Sequence, residues 1–367
     1  MTEREIVRFL LARGLVDPAH LVAGDLMVLD ASRRNHNFQI IDERGACYLT
    51  KQGVGPQGVA AVAREAALYQ RLHAYRGLER YIPRFHGYEA REHLLVLELV
   101  RDARDLRAYY ARADRFPILI GTALGNALGT VHRVTSAAGP LEELDEAFGG
   151  APPGVLALHR PDAGIFRDAS GATLRLIQVA QGSAELCQAL DDLRQGWRAR
   201  ALIHGDVKWD NCVVCGRPGS RRMTRVKLVD WELAGVGDPC WDVGAAFSGY
   251  LGAWLLSVPF VGEDGIERYL KYARFPLGRM RPTIRAIWRA YARQMRLDAA
   301  TEDQWLLRAT RYAGAGLIHT AFEHTQMSAL LEGNVISLLQ MGVNILRRPR
   351  EAMAHLLGLC PRDVGAA

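Results

Sequence analysis

Residues 204–211 read HGDVKWDN, and residues 230–232, which follow an apolar run, read DWE. Asp206 and Asn211 lie five positions apart, and Asp230 opens the second acidic cluster. During phosphoryl transfer, a carboxylate orients the attacking hydroxyl and accepts its proton, while Mg²⁺ neutralises charge on the phosphates. The pattern therefore predicts that Asp206 is a catalytic base and that Asn211 and Asp230 supply hard oxygen ligands for Mg²⁺.

The two motifs resemble the catalytic and metal-binding loops of kinases, and more narrowly those of the aminoglycoside phosphotransferase and choline kinase group. That group carries glycine where most protein kinases carry arginine, as this chain does at Gly205. The resemblance implies an α+β, two-lobed protein-kinase-like fold. It places a β-rich, ATP-binding N-lobe at residues 1–100. A mainly helical C-lobe at residues 101–367 would carry the catalytic loop, the metal site and the acceptor site.

The first hundred residues show the pattern expected of such an N-lobe. Short apolar runs and one Ala-rich amphipathic segment predict three strands, a helix and a fourth strand, at residues 26–29, 38–41, 47–51, 60–73 and 93–100. Beyond residue 101 the pattern is mainly helical and includes a buried helix at 115–134. Residues 155–180 alternate only weakly, and no element is predicted for them.

Lys51 ends the third predicted strand, and Glu65 lies in the helix that follows. In the resembled family a strand lysine contacts the α and β phosphates, and a helix glutamate holds that lysine in place. The resemblance implies these nucleotide-binding roles for Lys51 and Glu65. The alternative is a surface lysine and a solvated glutamate.

Two further segments match nucleotide-binding parts of the resembled family. The turn at residues 32–38, with Ser32 and Asn35, lies where the family places its phosphate-covering loop, although the GxGxxG of protein kinases is missing. Backbone N–H groups with Arg33 and Arg34 could donate to phosphates there, and the alternative is a basic surface turn. Residues 97–100, with Glu98 and Val100, resemble the hinge whose backbone reads the adenine edge.

Lys208 lies two residues after the proposed base, where protein Ser/Thr kinases also carry lysine. A cation there would stabilise charge on the transferred phosphoryl group. The resemblance therefore implies a catalytic role for Lys208 and favours a Ser/Thr acceptor without deciding it. His204 and Asp242 are expected to be structural, and Glu232 either touches a second metal or faces solvent.

Bulk composition limits the other functional classes. The chain has 367 residues, 49% of them hydrophobic, and a formal net charge of +6. Neither a nucleic-acid-binding motif nor an apolar run of about 18 residues occurs, so we expect neither a nucleic-acid partner nor a membrane span. The six cysteines and the lack of a signal-peptide core favour a reducing, cytoplasmic location. Cys212 and Cys215 form a lone CxxC, which favours two core thiols over zinc or redox chemistry.

The acceptor is the least determined part of the prediction. Arg281, Arg285, Arg289, Arg293 and Arg296 recur along one predicted helix as a basic stripe. The stripe is either a solvated face or a docking face for an acidic peptide, a partner protein or an anionic substrate.

Three functional hypotheses follow. The first is a kinase for Ser/Thr of a precursor peptide in a lanthipeptide- or thioamitide-type pathway, where similar phosphotransferases precede a lyase partner. The second is a small-molecule alcohol kinase acting on an antibiotic such as an aminoglycoside, a sugar or an amino alcohol. The third is a pseudokinase that only binds. The sequence favours the first slightly, with ATP and Mg²⁺ as cofactors.

Overall fold

A computed structural model of the chain describes residues 1–32, 35–101, 103–215, 225–259, 269–326 and 328–359. These residues form two compact units. The first consists of Met1–Asp105 and Cys212–Ala234, and the second of Leu106–Asn211 and Gly235–Ala367.

The strands are β1 (Leu26–Asp30), β2 (His36–Asp42), β3 (Tyr48–Gln52), β4 (Phe85–Glu89), β5 (Leu94–Glu98), β6 (Arg104–Asp105), β7 (Ala201–Ile203), β8 (Cys212–Cys215), β9 (Arg225–Leu228) and β10 (Gly235–Gly237). The α-helices are α1 (Glu3–Ala12), α2 (Pro18–Ala23), α3 (Gly55–Leu72), α4 (Leu106–Ala113), α5 (Ile118–Thr135), α6 (Ala138–Phe148), α7 (Ile165–Asp168), α8 (Gly171–Gln181), α9 (Ala184–Gln195), α10 (Pro239–Leu256), α11 (Leu277–Met295), α12 (Ala299–Thr325), α13 (Gly333–Arg347) and α14 (Pro349–Ala352).

The main sheet of the first unit has five antiparallel strands in the order β1-β2-β3-β5-β4. Helix α3 lies between β3 and β4 in the sequence, and it contacts β3, β4 and β5. Strand β3 is central, with Lys51 opposite Asn37 on β2 and opposite Leu95 on β5. One face of the sheet packs against α1 through a buried cluster that includes Ile6 and Leu10. Because β3 pairs with a strand on each side, Lys51 lies in the middle of the sheet. The strand–helix–strand order around it agrees with the order predicted from the sequence.

The segment Cys212–Ala234 belongs to the first unit, although the sequence-based boundary assigned it to the second lobe. Its strands β8 and β9 pair with each other, and β8 also pairs with β6, the last strand of Met1–Asp105. The Leu228 N–H also donates to the Tyr81 carbonyl at 2.7 Å. A linear boundary cannot describe this arrangement, because backbone pairing joins residues far apart in the chain.

The lone CxxC lies on β8, where side chains alternate between the two faces. Cys212 is buried and Cys215 is half-buried. Residues three positions apart on a strand point to opposite faces, so the two thiols do not converge on one ligand. This geometry fits the prediction of two packing thiols.

In the second unit, α5 and α11 lie unusually close together. Three glycines of α5, four residues apart, face α11, and a Cβ atom on Gly125 would lie 2.2 Å from the Ile287 carbonyl oxygen. A Cβ atom on Gly121 would meet the Thr283 carbonyl oxygen at 2.3 Å. The predicted buried helix is therefore α5, and its glycine row lets two helix backbones approach directly.

Residues 155–180, for which the sequence predicted no element, contain α7 and α8. Ser170 caps α8 by accepting a hydrogen bond from the Thr173 N–H at 3.0 Å, and its hydroxyl donates to the Thr325 carbonyl at 2.5 Å. The Thr173 and Thr325 hydroxyls are 3.0 Å apart. Polar contacts with the end of α12 therefore fix the start of α8, whose buried face is formed by Ala172, Leu176, Ile177 and Ala180.

Long helices are common in the second unit, but among the described residues none combines the length and apolar character needed to cross a bilayer.

We expect Gly125→Ala to destabilise the protein by about 1–3 kcal/mol, because the new methyl group would overpack the α5–α11 contact. Urea unfolding would measure the change. Gly278→Ala in α11 is the control, since its Cβ would meet no atom within 4 Å. Equal stabilities of the two variants would contradict the close packing described above.

Candidate active site

Lys51 lies at the centre of a buried charge cluster in the first unit. Its ammonium contacts both carboxylate oxygens of Glu65, at 2.8 and 3.0 Å, and Oδ1 of Asp230 at 2.6 Å. Lys51 is only 8% exposed and Glu65 only 2%. Burial by itself lowers the pKa of Lys51, but the two carboxylates outweigh it and raise that pKa above its ordinary value. Lys51 therefore stays charged. Its ion pairs connect the sheet to Glu65 of α3 and to Asp230, the first residue of the DWE motif.

Helix α3 holds the segment from Asp230 to Ala234 at two points. Oε1 of Glu65 accepts a hydrogen bond from the Trp231 N–H at 3.2 Å, and the Arg64 guanidinium donates to the Ala234 carbonyl at 2.6 Å. Asp230 has a φ of +68°, in the left-handed region, which aspartate tolerates better than most residues with a side chain. The sequence did not indicate this role of Arg64, because every residue has a backbone carbonyl and the acceptor therefore has no characteristic residue type.

The turn between β1 and β2 is built by Ser32. Its N–H donates to Asp30 at 2.8 Å, and its hydroxyl accepts from the Asn37 N–H at 3.1 Å. Asn35 reaches across to the start of α3, where its Oδ1 accepts from the Val54 N–H at 3.5 Å. Ser32 and Asn35 therefore shape this turn. Arg33 and Arg34, proposed as phosphate donors, lie outside the described residues.

The end of β5, the predicted hinge, is held by Glu98. Its carboxylate contacts Lys227 at 2.6 Å and accepts from the Arg84 N–H at 2.9 Å. Burial raises the pKa of Glu98, but these two hydrogen bonds outweigh it and hold the pKa below its usual value. The Glu98 and Leu99 N–H groups donate to the carbonyls of Arg84 and Cys47, so both are already used within the unit.

The second unit contains the predicted catalytic loop, residues 204–211. The Asn211 amide donates to Oδ2 of Asp206 at 2.9 Å and to the Asp206 carbonyl at 3.0 Å. The Lys208 ammonium lies 2.6 Å from the same carboxylate oxygen. Asn211 is 5% exposed, whereas nearly half of the Lys208 side chain is exposed. The loop therefore gathers Asp206, Lys208 and Asn211 around one carboxylate.

A buried carboxylate, Asp242 of α10, fixes the start of this loop. Its two oxygens accept hydrogen bonds from the His204 N–H at 2.7 Å and the Gly205 N–H at 3.0 Å. His132 of α5 lies 3.1 Å from the same carboxylate and 3.0 Å from the Tyr291 hydroxyl. The structural role predicted for Asp242 fits this geometry. Sequence reasoning did not single out His132, since a single histidine in an apolar helix has no distinguishing spacing.

Trp209 anchors the middle of the loop in an aromatic cluster. The indole is 4% exposed, and its ring centroid lies 4.9 Å from that of Tyr110, 5.2 Å from that of Tyr250 and 5.9 Å from that of Phe275. Edge-on aromatic contacts of this kind are favourable beyond simple area burial. On the other side of the loop, Asp210 makes a bidentate ion pair with Arg107, at 2.7 and 3.0 Å.

The predicted site residues are divided between the two units. The first unit contains Ser32, Asn35, Lys51, Glu65, Glu98, Val100 and Asp230, and the second contains Asp206, Lys208 and Asn211. Within the first unit Lys51, Glu65 and Asp230 are in contact, as are the three loop residues within the second. Glu232 is half-buried in the first unit. The roles of all these residues in binding and catalysis remain predictions.

Comparison with known proteins places this geometry in context. A sequence profile of the phosphotransferase enzyme family matches residues 25–309, which is more than half of the chain. None of the curated proteins searched matches the chain.

Two solved structures show the same fold. A putative fructosamine-3-kinase from Thermobifida fusca has 16% identity and a TM-score of 0.50, with 88% of this chain and 93% of that one covered. A macrolide 2′-phosphotransferase type I has 13% identity and a TM-score of 0.50, with 94% and 98% covered. The predicted α+β, two-lobed kinase-like fold class is confirmed.

We expect Glu65→Gln to lower the free energy of unfolding by about 3 kcal/mol, the lower end for removing one partner of a buried ion pair, because Asp230 still neutralises Lys51. Denaturant unfolding would measure this. The half-buried Glu232→Gln should stay within about 0.5 kcal/mol of the parent protein. A Glu65→Gln variant as stable as the parent would show that the pair does not support the unit.

Proposed function

Because the chain belongs to the phosphotransferase enzyme family, as its two motifs predicted, we propose that it transfers the γ-phosphoryl group of ATP to a hydroxyl. The chain is thus an enzyme, a kinase with an alcohol acceptor. The finer assignments, which concern the residues, the metal and the acceptor, are our proposals.

The observation that carries the proposal is the contact of Asn211 and Lys208 with one carboxylate oxygen of Asp206. A base must present a carboxylate in a fixed direction to the acceptor hydroxyl, and the Asn211 amide orients this one. Phosphoryl transfer passes through a loose transition state, so orientation and charge compensation matter more than strong basicity. Asp206 orients the hydroxyl and takes its proton, and Lys208 stabilises charge on the phosphoryl oxygens.

The donor set suits Mg²⁺. The Asn211 nitrogen is committed to Asp206, which leaves its oxygen Oδ1 as the atom able to bind a cation. Asp230 supplies a carboxylate, and carboxylate and amide oxygens are the ligands that Mg²⁺ prefers. When bound, the ion neutralises charge on the nucleotide phosphates. Helix α3 keeps the Asp230 backbone in place through Glu65 and Arg64.

The remaining first-unit residues are proposed to bind the nucleotide. Lys51, held by Glu65, contacts the α and β phosphates, where a charged ammonium is required. The turn built by Ser32 and Asn35 covers the phosphates. The backbone around Glu98 and Val100 reads the adenine edge through the groups that the sheet does not use.

For the acceptor, Lys208 supports a Ser/Thr hydroxyl of a precursor peptide, as in lanthipeptide-type pathways, with a lyase as the downstream partner. The two solved structures named above support the second candidate, a small-molecule alcohol, because one is described as a macrolide 2′-phosphotransferase and the other as a putative fructosamine-3-kinase. The two candidates differ in the size of the acceptor, and the chemistry at Asp206 is the same for both.

Transfer of label from γ-labelled ATP, with Mg²⁺, to two acceptor panels would test the proposal. One panel contains Ser/Thr-rich peptides, and the other contains macrolides, aminoglycosides, sugars and amino alcohols. Label on either panel identifies the acceptor class, and label on neither would contradict the proposed transfer to these alcohols.

In the same assay, Asp206→Asn should lower kcat by about 10²–10⁴-fold, because the amide keeps the shape but cannot accept the proton. Asp210→Asn is the control in the same loop, since Asp210 pairs with Arg107 instead of Asp206. It should keep most of the activity. An undiminished kcat in Asp206→Asn would exclude Asp206 as the base.

Asp230→Asn should raise the Mg²⁺ concentration needed for half-maximal activity by about 10–100-fold, at least the effect of losing a group that supports a metal ligand. A Mg²⁺ titration at saturating ATP would measure this, with Asp210→Asn as the carboxylate control, since Asp210 pairs with Arg107. An unchanged titration midpoint would remove Asp230 from the metal site.

A further inference from the structure

The arginine stripe of α11 divides into two parts with different environments. Arg281 and Arg285 are half-buried, and the Arg281 guanidinium donates to the carbonyls of His355 and, at 3.2 Å, Leu356. Arg281 therefore holds the short π-helix Met353–Leu357 that follows α14. Arg289, Arg293 and Arg296 are exposed. The structural role ends after the first turns of the helix.

The three exposed arginines line a cleft of about 400 Å³, whose other lining residues are Ala292, Leu297 and Glu302. We call this the basic cleft. No ion pair joins Arg289, Arg293 or Arg296 to a carboxylate within the described ranges. Glu302, the one acidic residue of the lining, accepts a hydrogen bond from the Trp288 indole at 3.1 Å. The cleft therefore carries a net positive charge.

Like charges four residues apart on a helix repel each other and weaken it slightly. Glu302, the one carboxylate among the lining residues, offsets only part of the charge of the three arginines. Arg296 ends α11 with a φ of +54°, and it lines the same cleft as Arg289 and Arg293. An anionic ligand would reduce the repulsion between the arginines, and Ala292 and Leu297 would provide apolar contacts in the same cleft.

We propose that the basic cleft binds an acidic segment of a peptide in extended conformation. Four helical residues rise by about 6 Å, which separates Arg289 from Arg293 along the axis. Alternate residues of an extended chain point to the same side and repeat at about 6.6–6.8 Å. Asp or Glu at every second position thus matches the arginine row, whereas a single phosphate would reach only part of it.

This inference rests on the proposed peptide acceptor and deepens it, since the cleft would dock the peptide outside its Ser/Thr acceptor segment. Such docking raises the local concentration of the hydroxyl near the enzyme. It also steers the acidic chain toward the protein, with a dependence on ionic strength.

Fluorescence anisotropy of a labelled peptide of alternating glutamate and serine would test the docking, with the glutamine–serine peptide as the uncharged probe. The full-length protein is compared with the triple variant Arg289→Gln/Arg293→Gln/Arg296→Gln. The control variant, Arg4→Gln/Arg8→Gln/Arg91→Gln, removes the same charge from exposed positions in the first unit. We expect binding about tenfold weaker in the cleft variant only, because three exposed ion pairs are lost.

Three results would overturn the docking site: preference for neither peptide, equal affinity in all three proteins, or equal loss in both variants, which would indicate net charge alone. Circular dichroism would show that each variant is folded. Phosphate transfer to the same glutamate–serine peptide is measured separately. Cleft-dependent binding without transfer would retain the docking site and contradict the acceptor, and transfer without cleft-dependent binding would do the reverse.

Discussion

The predicted catalytic loop of the second unit depends on one buried carboxylate, Asp242. It is 1% exposed, and it accepts hydrogen bonds from two consecutive backbone N–H groups, those of His204 and Gly205. A buried N–H without a partner costs about 1–3 kcal/mol, so these bonds strongly favour one path of the chain. The adjacent Trp241 indole donates to the Gly205 carbonyl at 3.1 Å, which fixes the same peptide from its other side. Asp242 and Trp241, both in the first turn of α10, thereby fix the backbone immediately before Asp206.

The first unit uses the same principle with a different element. There α3 acts as the support, since Glu65 and Arg64 bind backbone groups at Trp231 and Ala234. In both units, supporting side chains form hydrogen bonds with the backbone next to the proposed site residues. The side chains proposed to react or to bind the metal therefore extend from a backbone of fixed conformation. Preorganisation of this kind is what electrostatic catalysis requires, because dipoles already in place need no rearrangement during reaction.

The sequence predicted the elements that have a local pattern. Hydrophobic periodicity predicted the strand with Lys51 and the helix with Glu65. Residue spacing identified the two motifs. Contacts made through backbone carbonyls were not found, as with Arg64 and Arg281, since any residue can supply a carbonyl. The helix α8 was missed because residues 155–180 alternate only weakly, although Ser170 is a typical N-cap residue at its start. The membership of Cys212–Ala234 in the first unit was also missed, because strand pairing is a property of the folded backbone.

Gly205 carries a consequence for how this loop can evolve. Its φ is +80°, a conformation that only glycine adopts without cost, and its N–H must point at Asp242 in that conformation. A side chain at this position favours the opposite sign of φ, which would turn the N–H away and leave the buried carboxylate short of a donor. We therefore expect the effect of a substitution at Gly205 to depend on the residue at position 242. A larger residue at position 205 would require a different arrangement of hydrogen bonds to Asp242. We therefore expect relatives to keep both residues or to replace both.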